Sequence, residues 1–187
     1  TITKPKKILS VRGPLTRQRL LQLGINCPKN YGDIGLILPY FYSPQVKKIY
    51  KLGIIPHYID KEMFNEIYTK NDEDVKIIDV TEPIQIVINE ILECEMTISS
   101  SLHGIIVSHA YNVQCMWIKL TDKIGGGFFK FRDYYGSLNI NNYNEILPYI
   151  YNKQISTNET IKLINEYPNP TFPINTKSII ELCPFIQ

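Results

Sequence analysis

The stretch whose reading decides the fold is Glu95-Met-Thr-Ile-Ser-Ser-Ser-Leu-His-Gly-Ile-Ile-Val-Ser-His-Ala-Tyr111. Met96 to Ile98 reads as a short apolar strand, three serines follow, and an apolar helix begins at about Leu102. A strand that passes through small hydroxyl residues straight into a helix leaves backbone N–H groups free at the helix N-terminus. Those groups and the helix dipole together favour an anion, typically a phosphate. Ser100, Ser101 and Leu102 form that turn, His103 sits in the first helical turn, and Gly104 permits close approach. A plainer reading stands beside this one. Serine is an ordinary N-cap, and a histidine near a helix start is commonly a surface or core residue. The surrounding sequence has to decide between them.

Working outward, strand and helix signals alternate. Lys7 to Val11 reads as a strand. Pro14 suits a first helical turn, and Leu15, Leu20, Leu21 and Leu23 make a helical stripe ended by Gly24. Lys47 to Tyr58 carries a strand centred on Gly53 to Tyr58, Lys61 to Tyr68 a short helix, and Val75 to Val80 a β-branched strand. Glu82 to Cys94 reads as a helix with Pro83 at its start and apolar positions at Ile84, Val87, Ile88, Ile91 and Leu92. The quoted strand and helix come next, then a strand at Gln114 to Lys119. This βαβ rhythm predicts an α/β fold, a doubly wound and mostly parallel Rossmann-like sheet.

Past Thr121 the pattern changes. Ile124-Gly-Gly-Gly-Phe128 reads as a flexible turn, and Phe129 to Leu138, Tyr143 to Tyr151 and Asn158 to Tyr167 read as C-terminal helices. Residues 152–187, with Pro168, Pro170, Pro173 and Pro184, read as a tail or as helices packing back across the domain.

Composition narrows the function classes. Hydrophobic residues make up 44% and charged residues 20%, enough for a real core in one ordinary domain. A net charge of +2 marks neither a nucleic-acid partner nor a polybasic membrane surface. No apolar run approaches the roughly 20 residues needed to cross a bilayer. No signal peptide is visible, and a chain that begins with Thr1 rather than Met is expected to have its true N-terminus removed or upstream. Cys27, Cys94, Cys115 and Cys183 are scattered, with no CxxC pair and no zinc-ligand spacing. Cys94 and Cys115 sit in apolar contexts as buried thiols, which fits a reducing, cytoplasmic setting.

In open α/β sheets ligands bind beyond the carboxyl ends of the strands. Arg12 and Gly13 follow the first predicted strand, Ser99 to His103 follow the Met96 strand, and Lys123 follows the Gln114 strand. An arginine, a lysine, a histidine and a helix N-terminus at one sheet edge make an anion pocket larger than one phosphate needs. A small molecule bearing both a phosphate and a carboxylate fits such a pocket.

At this point the chain resembles the polysaccharide pyruvyl transferases. The matching pieces are Val11-Arg-Gly-Pro-Leu-Thr-Arg17, Tyr31-Gly-Asp-Ile-Gly-Leu-Ile-Leu-Pro39, Gly53-Ile-Ile-Pro-His-Tyr-Ile-Asp60, Ser99-Ser-Ser-Leu-His-Gly104, and Asp122-Lys123 through Gly-Gly-Gly-Phe to Lys130-Phe-Arg-Asp-Tyr134. Each is weak alone, but five in order, from about Lys7 to Asn139, are specific. The resemblance implies an enzyme that moves the enolpyruvyl group of phosphoenolpyruvate onto a saccharide acceptor, usually closing a pyruvate ketal over two hydroxyls. It implies that Arg12, Leu102, His103 and Lys123 line the phosphoenolpyruvate site, with His103 as the catalytic candidate. Phosphoenolpyruvate is then the donor substrate, and no cofactor or metal is required.

The residue types suit that chemistry. An imidazole can donate a proton near neutral pH and hold phosphate when charged. A guanidinium fork matches two oxygens of a carboxylate or phosphate. Lysine offers a mobile point charge for the leaving phosphate.

Other candidates carry two readings each. His57 and Tyr58 end a strand and either face the cleft or serve structure. Asp33 either binds sugar hydroxyls or caps a turn. Lys130, Arg132 and Asp133 either border the acceptor channel or form a solvated helix face. His109 is six residues past His103, on another helical face, and reads as a core residue or as a support behind the site, and Cys115 reads as core.

The resemblance further implies a two-lobed GT-B-type enzyme, which needs more chain than this. Residues 1–187 then read as a single Rossmann-like domain, the second lobe, with the N-terminal lobe largely absent or part of a larger polypeptide. Two alternatives stay open. One is a GT-B-type glycosyltransferase using a nucleotide sugar, for which Asp79 and Glu82 would have to hold a ribose. The other is a non-catalytic glycan-binding or assembly module of the same fold.

Overall fold

The β-branched and apolar runs of the chain form five parallel strands: β1 (Tyr50–Ile55), β2 (Val75–Ile77), β3 (Cys94–Ser99), β4 (Cys115–Lys119) and β5 (Tyr149–Ile150). They lie in the order β2-β1-β3-β4-β5. The computed structural model describes residues 5–61, 72–125, 127–138, 140, 142–151, 155–184 and 186. Register is set by pairs such as Leu52↔Val75, Leu52↔Met96, Thr97↔Cys115 and Ile118↔Tyr149. From β1 the chain steps outward to β2, then crosses back to lay β3 on β1's other side. The winding direction therefore reverses between β1 and β3, and in such sheets the crevice at that reversal is the ligand-binding position.

Helices α1 (Pro14–Gln22), α2 (Leu38–Phe41), α3 (Ile84–Leu92), α4 (Leu102–Ala110), α5 (Phe129–Ser137), α6 (Thr157–Glu166) and α7 (Lys177–Leu182) complete the described structure, with a 3-10 turn at Ile34–Ile37. Period-two alternation sorts the strand side chains between two cores. On one face Leu52, Ile54, Ile98, Met116 and Ile118 meet Ile164 of α6. On the other, Ile55 and Cys94 meet Val87, Ile88 and Ile91 of α3 and Val107 of α4. Beside them Cys115 and Trp117 meet Ile105 and Ile106 of α4 and Phe131, Tyr134 and Tyr135 of α5. Both faces are covered, as a doubly wound α/β sheet requires.

Several expectations need correction. Lys7 to Val11 is not a sheet strand; its one ladder contact is a parallel bridge from Val11 to Tyr31. Side-chain bonds stand in for a ladder there, from Ser10 Oγ to the Asn30 carbonyl and from Asn30 Nδ2 to the Leu9 carbonyl. Tyr143 to Tyr151 is not a helix: a 3-10 turn at Tyr143–Glu145 gives way to β5. Pro148 has no N–H and pushes Leu147 out of the helical region, so the chain extends and pairs with β4. The Gly53 to Tyr58 strand stops at Ile55, before Pro56, and the Val75 strand stops at Ile77. The predicted 82–94 helix spans Ile84–Leu92 with Pro83 as its N-cap, leaving Cys94 to open β3. Ile84 is exposed, as are Leu21 and Leu23 near the end of α1. Nearly all of the predicted Lys61 to Tyr68 helix, from residue 62 onward, lies outside the described residues.

Candidate active site

β3 ends in the crevice at Ser99, and the three serines there do different work. Ser99 Oγ lies 2.8 Å from the Ile55 carbonyl and 2.9 Å from the Ser101 carbonyl, and it accepts the Ser101 N–H at 3.0 Å. Ser100 donates its N–H to the Ile55 carbonyl at 3.3 Å, and its hydroxyl accepts the His57 N–H at 2.9 Å. The first two serines thus knit the end of β3 to the end of β1. Ser101 is the N-cap of α4 by backbone geometry, yet its side chain makes no capping bond. The N–H groups of Leu102, His103 and Gly104 have no hydrogen-bond partner among the described residues. They form an open, partly positive helix end.

Seven of the nine residues of α4 are buried, and His103 is its one exposed side chain. The imidazole therefore stands exposed at the open end of a helix otherwise sunk in the core, directly after the end of β3. Leu102, expected to line the site, sends its side chain into the core with Leu36, Ile37 and Ile106. What it leaves at the helix end is its N–H. Gly104 serves packing: a Cβ there would strike Ser99 Oγ and come within 2.8 Å of Ile55 Cγ2. Glycine lets α4 sit against the sheet, which aims its N-terminus at the crevice.

Beyond β1, His57 is half-buried at the start of a tight turn closed by the Asp60 N–H on the His57 carbonyl at 2.7 Å. Its Nδ1 accepts the Ile59 N–H at 3.3 Å, so the neutral ring carries its proton on Nε2. Burial and then the charge of Lys130 lower its pKa below the usual value, against an opposing pull from Asp60. His57 is therefore a neutral donor at physiological pH.

Arg12 arrives from the irregular N-terminal segment and is fixed by α5. Its Nε donates to Asp133 Oδ2 at 3.2 Å. The same carboxylate accepts the Thr16 N–H at 2.9 Å and the Thr16 hydroxyl at 2.5 Å. Gly13 has no room for a Cβ because the Asp133 backbone occupies that space. Asp133 is wholly buried, so the solvated-face reading fails for it. Lys130, one helical turn before, is half-buried; burial and then the nearby Arg12 charge lower its pKa. Lys130 thus links two separate segments, feeling the charge of Arg12 and acting in turn on His57. Arg132 is placed otherwise: its Nε donates to the Ile146 carbonyl at 3.3 Å and its guanidinium lies over the Phe128 ring. None of its described contacts is to Arg12, His57, His103 or Lys123.

Beyond β4, Lys123 is exposed, and its N–H bonds to Thr121 Oγ1 at 3.2 Å. That hydroxyl donates to Asp60 Oδ1 at 2.7 Å. Asp60 is a fully buried carboxylate that sequence reasoning missed, since nothing local distinguishes an acid in a turn. A small cavity of about 110 Å³ opens beside these groups, lined by Ser100, Trp117, Thr121, Phe128 and Phe131 among others. Trp117 and Phe131 stack at 4.1 Å to form an aromatic wall.

The remaining candidates are structural in position. Asp33 accepts the Gly35 N–H at 2.9 Å and caps the 3-10 turn. His109 is buried, with Nδ1 3.0 Å from the Tyr134 hydroxyl. The Asp79 carboxylate is taken up by Lys61 and by the Thr81 N–H and hydroxyl, which hold its pKa at about 2. All four cysteines are free and buried, and burial pushes Cys94 and Cys115 up to about 12. Among the described residues no three His, Cys, Asp or Glu side chains are grouped to hold a metal ion. No helix among them is long and apolar enough to cross a membrane.

Comparison with known proteins bears on the family of the chain. An uncharacterized protein of Acanthamoeba polyphaga mimivirus is 36% identical over 108 residues, 55% of this chain and 38% of that protein. The matched region thus spans well under half of that relative's length. No solved structure matches the chain. The polysaccharide pyruvyl transferase family model matches residues 1–121, which takes in Arg12, His57, Asp60 and the Ser99 to Gly104 turn. Lys123, Lys130 and Arg132 lie past its end and rest on their place in the fold. With that match over well more than half its length, the chain belongs to the polysaccharide pyruvyl transferase family.

Proposed function

We propose that this chain carries the donor-binding and catalytic edge of an enzyme that transfers the enolpyruvyl group of phosphoenolpyruvate to two hydroxyls of a glycan, forming a pyruvate ketal. The observation that carries this reading is His103, the single exposed side chain of a buried helix whose first three N–H groups have no partner among the described residues. In this reading the chain is a Rossmann-like lobe of a two-lobed, GT-B-like enzyme.

The free N–H groups of residues 102–104 receive the donor phosphate, with Lys123 as a mobile counter-charge. Arg12, braced by Asp133, offers its remaining guanidinium donors to the carboxylate. Lys130 adds positive field, and the neutral His57 donates from Nε2. His103 protonates the methylene carbon, which becomes the methyl group and leaves positive character on the carbon bearing the carboxylate. A sugar hydroxyl adds to that carbon and loses its proton. Phosphate then departs, taking the C–O electron pair, and a second hydroxyl closes the ketal with loss of its own proton. The net change is a diol and phosphoenolpyruvate going to a ketal and inorganic phosphate. Cationic groups and the helix end take up the phosphate charge.

Of the two acids the nucleotide-sugar reading would use for a ribose, Asp79 is already engaged by Lys61 and Thr81, which leaves it only the exposed Glu82. Mass spectrometry of candidate glycans incubated with the protein and phosphoenolpyruvate tests the proposal. The expected product is heavier than the acceptor by pyruvate less one water, with phosphate released in equal amount. A glycan that instead gains a sugar from a nucleotide donor overturns it.

A further inference from the structure

The buried Asp60 has no part in the chemistry above, yet its position is unusual. It closes the His57 turn beyond β1 through its N–H, and its Oδ1 accepts the Thr121 hydroxyl beyond β4. Thr121 in turn accepts the Lys123 N–H. β1 and β4 are not neighbours; β3 lies between them. The Asp60–Thr121 bond therefore bridges across the carboxyl end of β3, where Ser100 to His103 stand. Its second oxygen, Oδ2, is buried with no hydrogen-bond partner among the described residues. A buried carboxylate that spans two loops, with one oxygen unpartnered among the described residues, calls for a reason beyond packing.

We propose that Asp60 is a positioning residue which, through the Thr121 hydroxyl, holds the Lys123 loop against the His57 turn and so sets where Lys123 meets the donor phosphate. The inference rests on the phosphoenolpyruvate reading of the site. The chain of bonds runs one way: Lys123 N–H to Thr121 oxygen, Thr121 hydroxyl to Asp60 carboxylate. Each bond polarises the next, and the charged end is the buried one. Lys123 is exposed and its long side chain is free to wander, so the one thing the fold fixes about it is its backbone. Cutting the link leaves the lysine present but its root unplaced.

The test is calorimetric titration of phosphoenolpyruvate into the whole chain and its variants. Thr121→Val removes the hydroxyl and keeps the shape; it should weaken binding about tenfold, as the loss of one charge-assisted bond does. Thr121→Ser restores the hydroxyl and should bind within about twofold of the parent. In a Lys123→Ala background, Thr121→Val should cost less than about twofold, because the residue it positions is gone. Asp60→Ala combined with Thr121→Val should lose no more than the worse single variant. If Asp60→Ala does not fold, the Thr121 and Lys123 cycle decides alone. Parental affinity in Thr121→Val, or equal losses with and without Lys123, overturns the inference and leaves the site reading intact. Failure of the unmodified chain to bind phosphoenolpyruvate overturns that reading, and this inference with it.

Discussion

Arg12 and Asp133 are 121 positions apart in the chain and 3.2 Å apart in the fold. The pair is unequal, for Asp133 is wholly buried while the Arg12 side chain keeps 28% of its surface exposed. The carboxylate is the anchor, and the guanidinium is what it presents.

That inequality separates two substitutions. Asp133→Ala strips partners from Arg12 and from both Thr16 groups inside the structure, and should destabilise by about 2–4 kcal/mol in urea unfolding. Arg12→Ala leaves Asp133 still bonded to Thr16 and should cost only about 1 kcal/mol. For phosphoenolpyruvate affinity, Arg12→Ala in its folded state should lose at least as much as Asp133→Ala. The two rankings, measured side by side, distinguish the anchor from the ligand.

His103 should show the opposite of a core histidine. Because it is exposed at the open end of α4, His103→Gln should change unfolding stability by no more than about 0.5 kcal/mol. Ketal formation should fall by about 10²–10⁴-fold, the usual contribution of a positioned acid. A measured turnover close to the parent's would remove His103 from the chemistry.

The other helical histidine predicts a pH effect on stability. Burial lowers His109 to about 4 from 6.5, so the folded protein keeps it neutral where the unfolded chain would protonate it. The unfolded state therefore binds more protons between those two values. Stability from this residue is complete above about pH 6.5, falls as pH drops toward about 4, and the loss reaches about 3 kcal/mol. Urea midpoints measured across that range should decline for the parent and decline less for His109→Gln, whatever its baseline.

What the sequence shows of this fold depends on the range of each interaction. The β3-to-α4 turn is legible because strand, serines and helix are contiguous, and local chemistry alone leaves the helix end open. Arg12 is legible as a candidate site residue by type and motif, but its support by Asp133 is not. Asp133 looks like a solvated helix acid until α5 is laid against α1, and Gly13 shows no reason for its missing side chain until then. Lys7 to Val11 has the apolar pattern of a strand, but among the described residues its ladder stops at the single Val11 to Tyr31 bridge, which no pattern reveals. β5 is two residues long and follows a proline, too short for periodicity to separate it from a helix. Leu102 reads as a site residue by position, and only the packing of α4 shows that its side chain faces the core. Asp60 escapes notice for a related reason, because its bond to Thr121 joins two loops 61 positions apart.

On the proposed reading the open end of α4, with Arg12 and Lys123, takes phosphoenolpyruvate. Thermal unfolding with added ligand tests it most directly. Phosphoenolpyruvate at about 100 times its Kd should raise Tm by about 5 °C or more, following the free energy of saturating one site of a protein this size. Arg12→Ala should lose most of that rise. No shift with phosphoenolpyruvate, alongside a clear shift with a nucleotide sugar, would contradict the account.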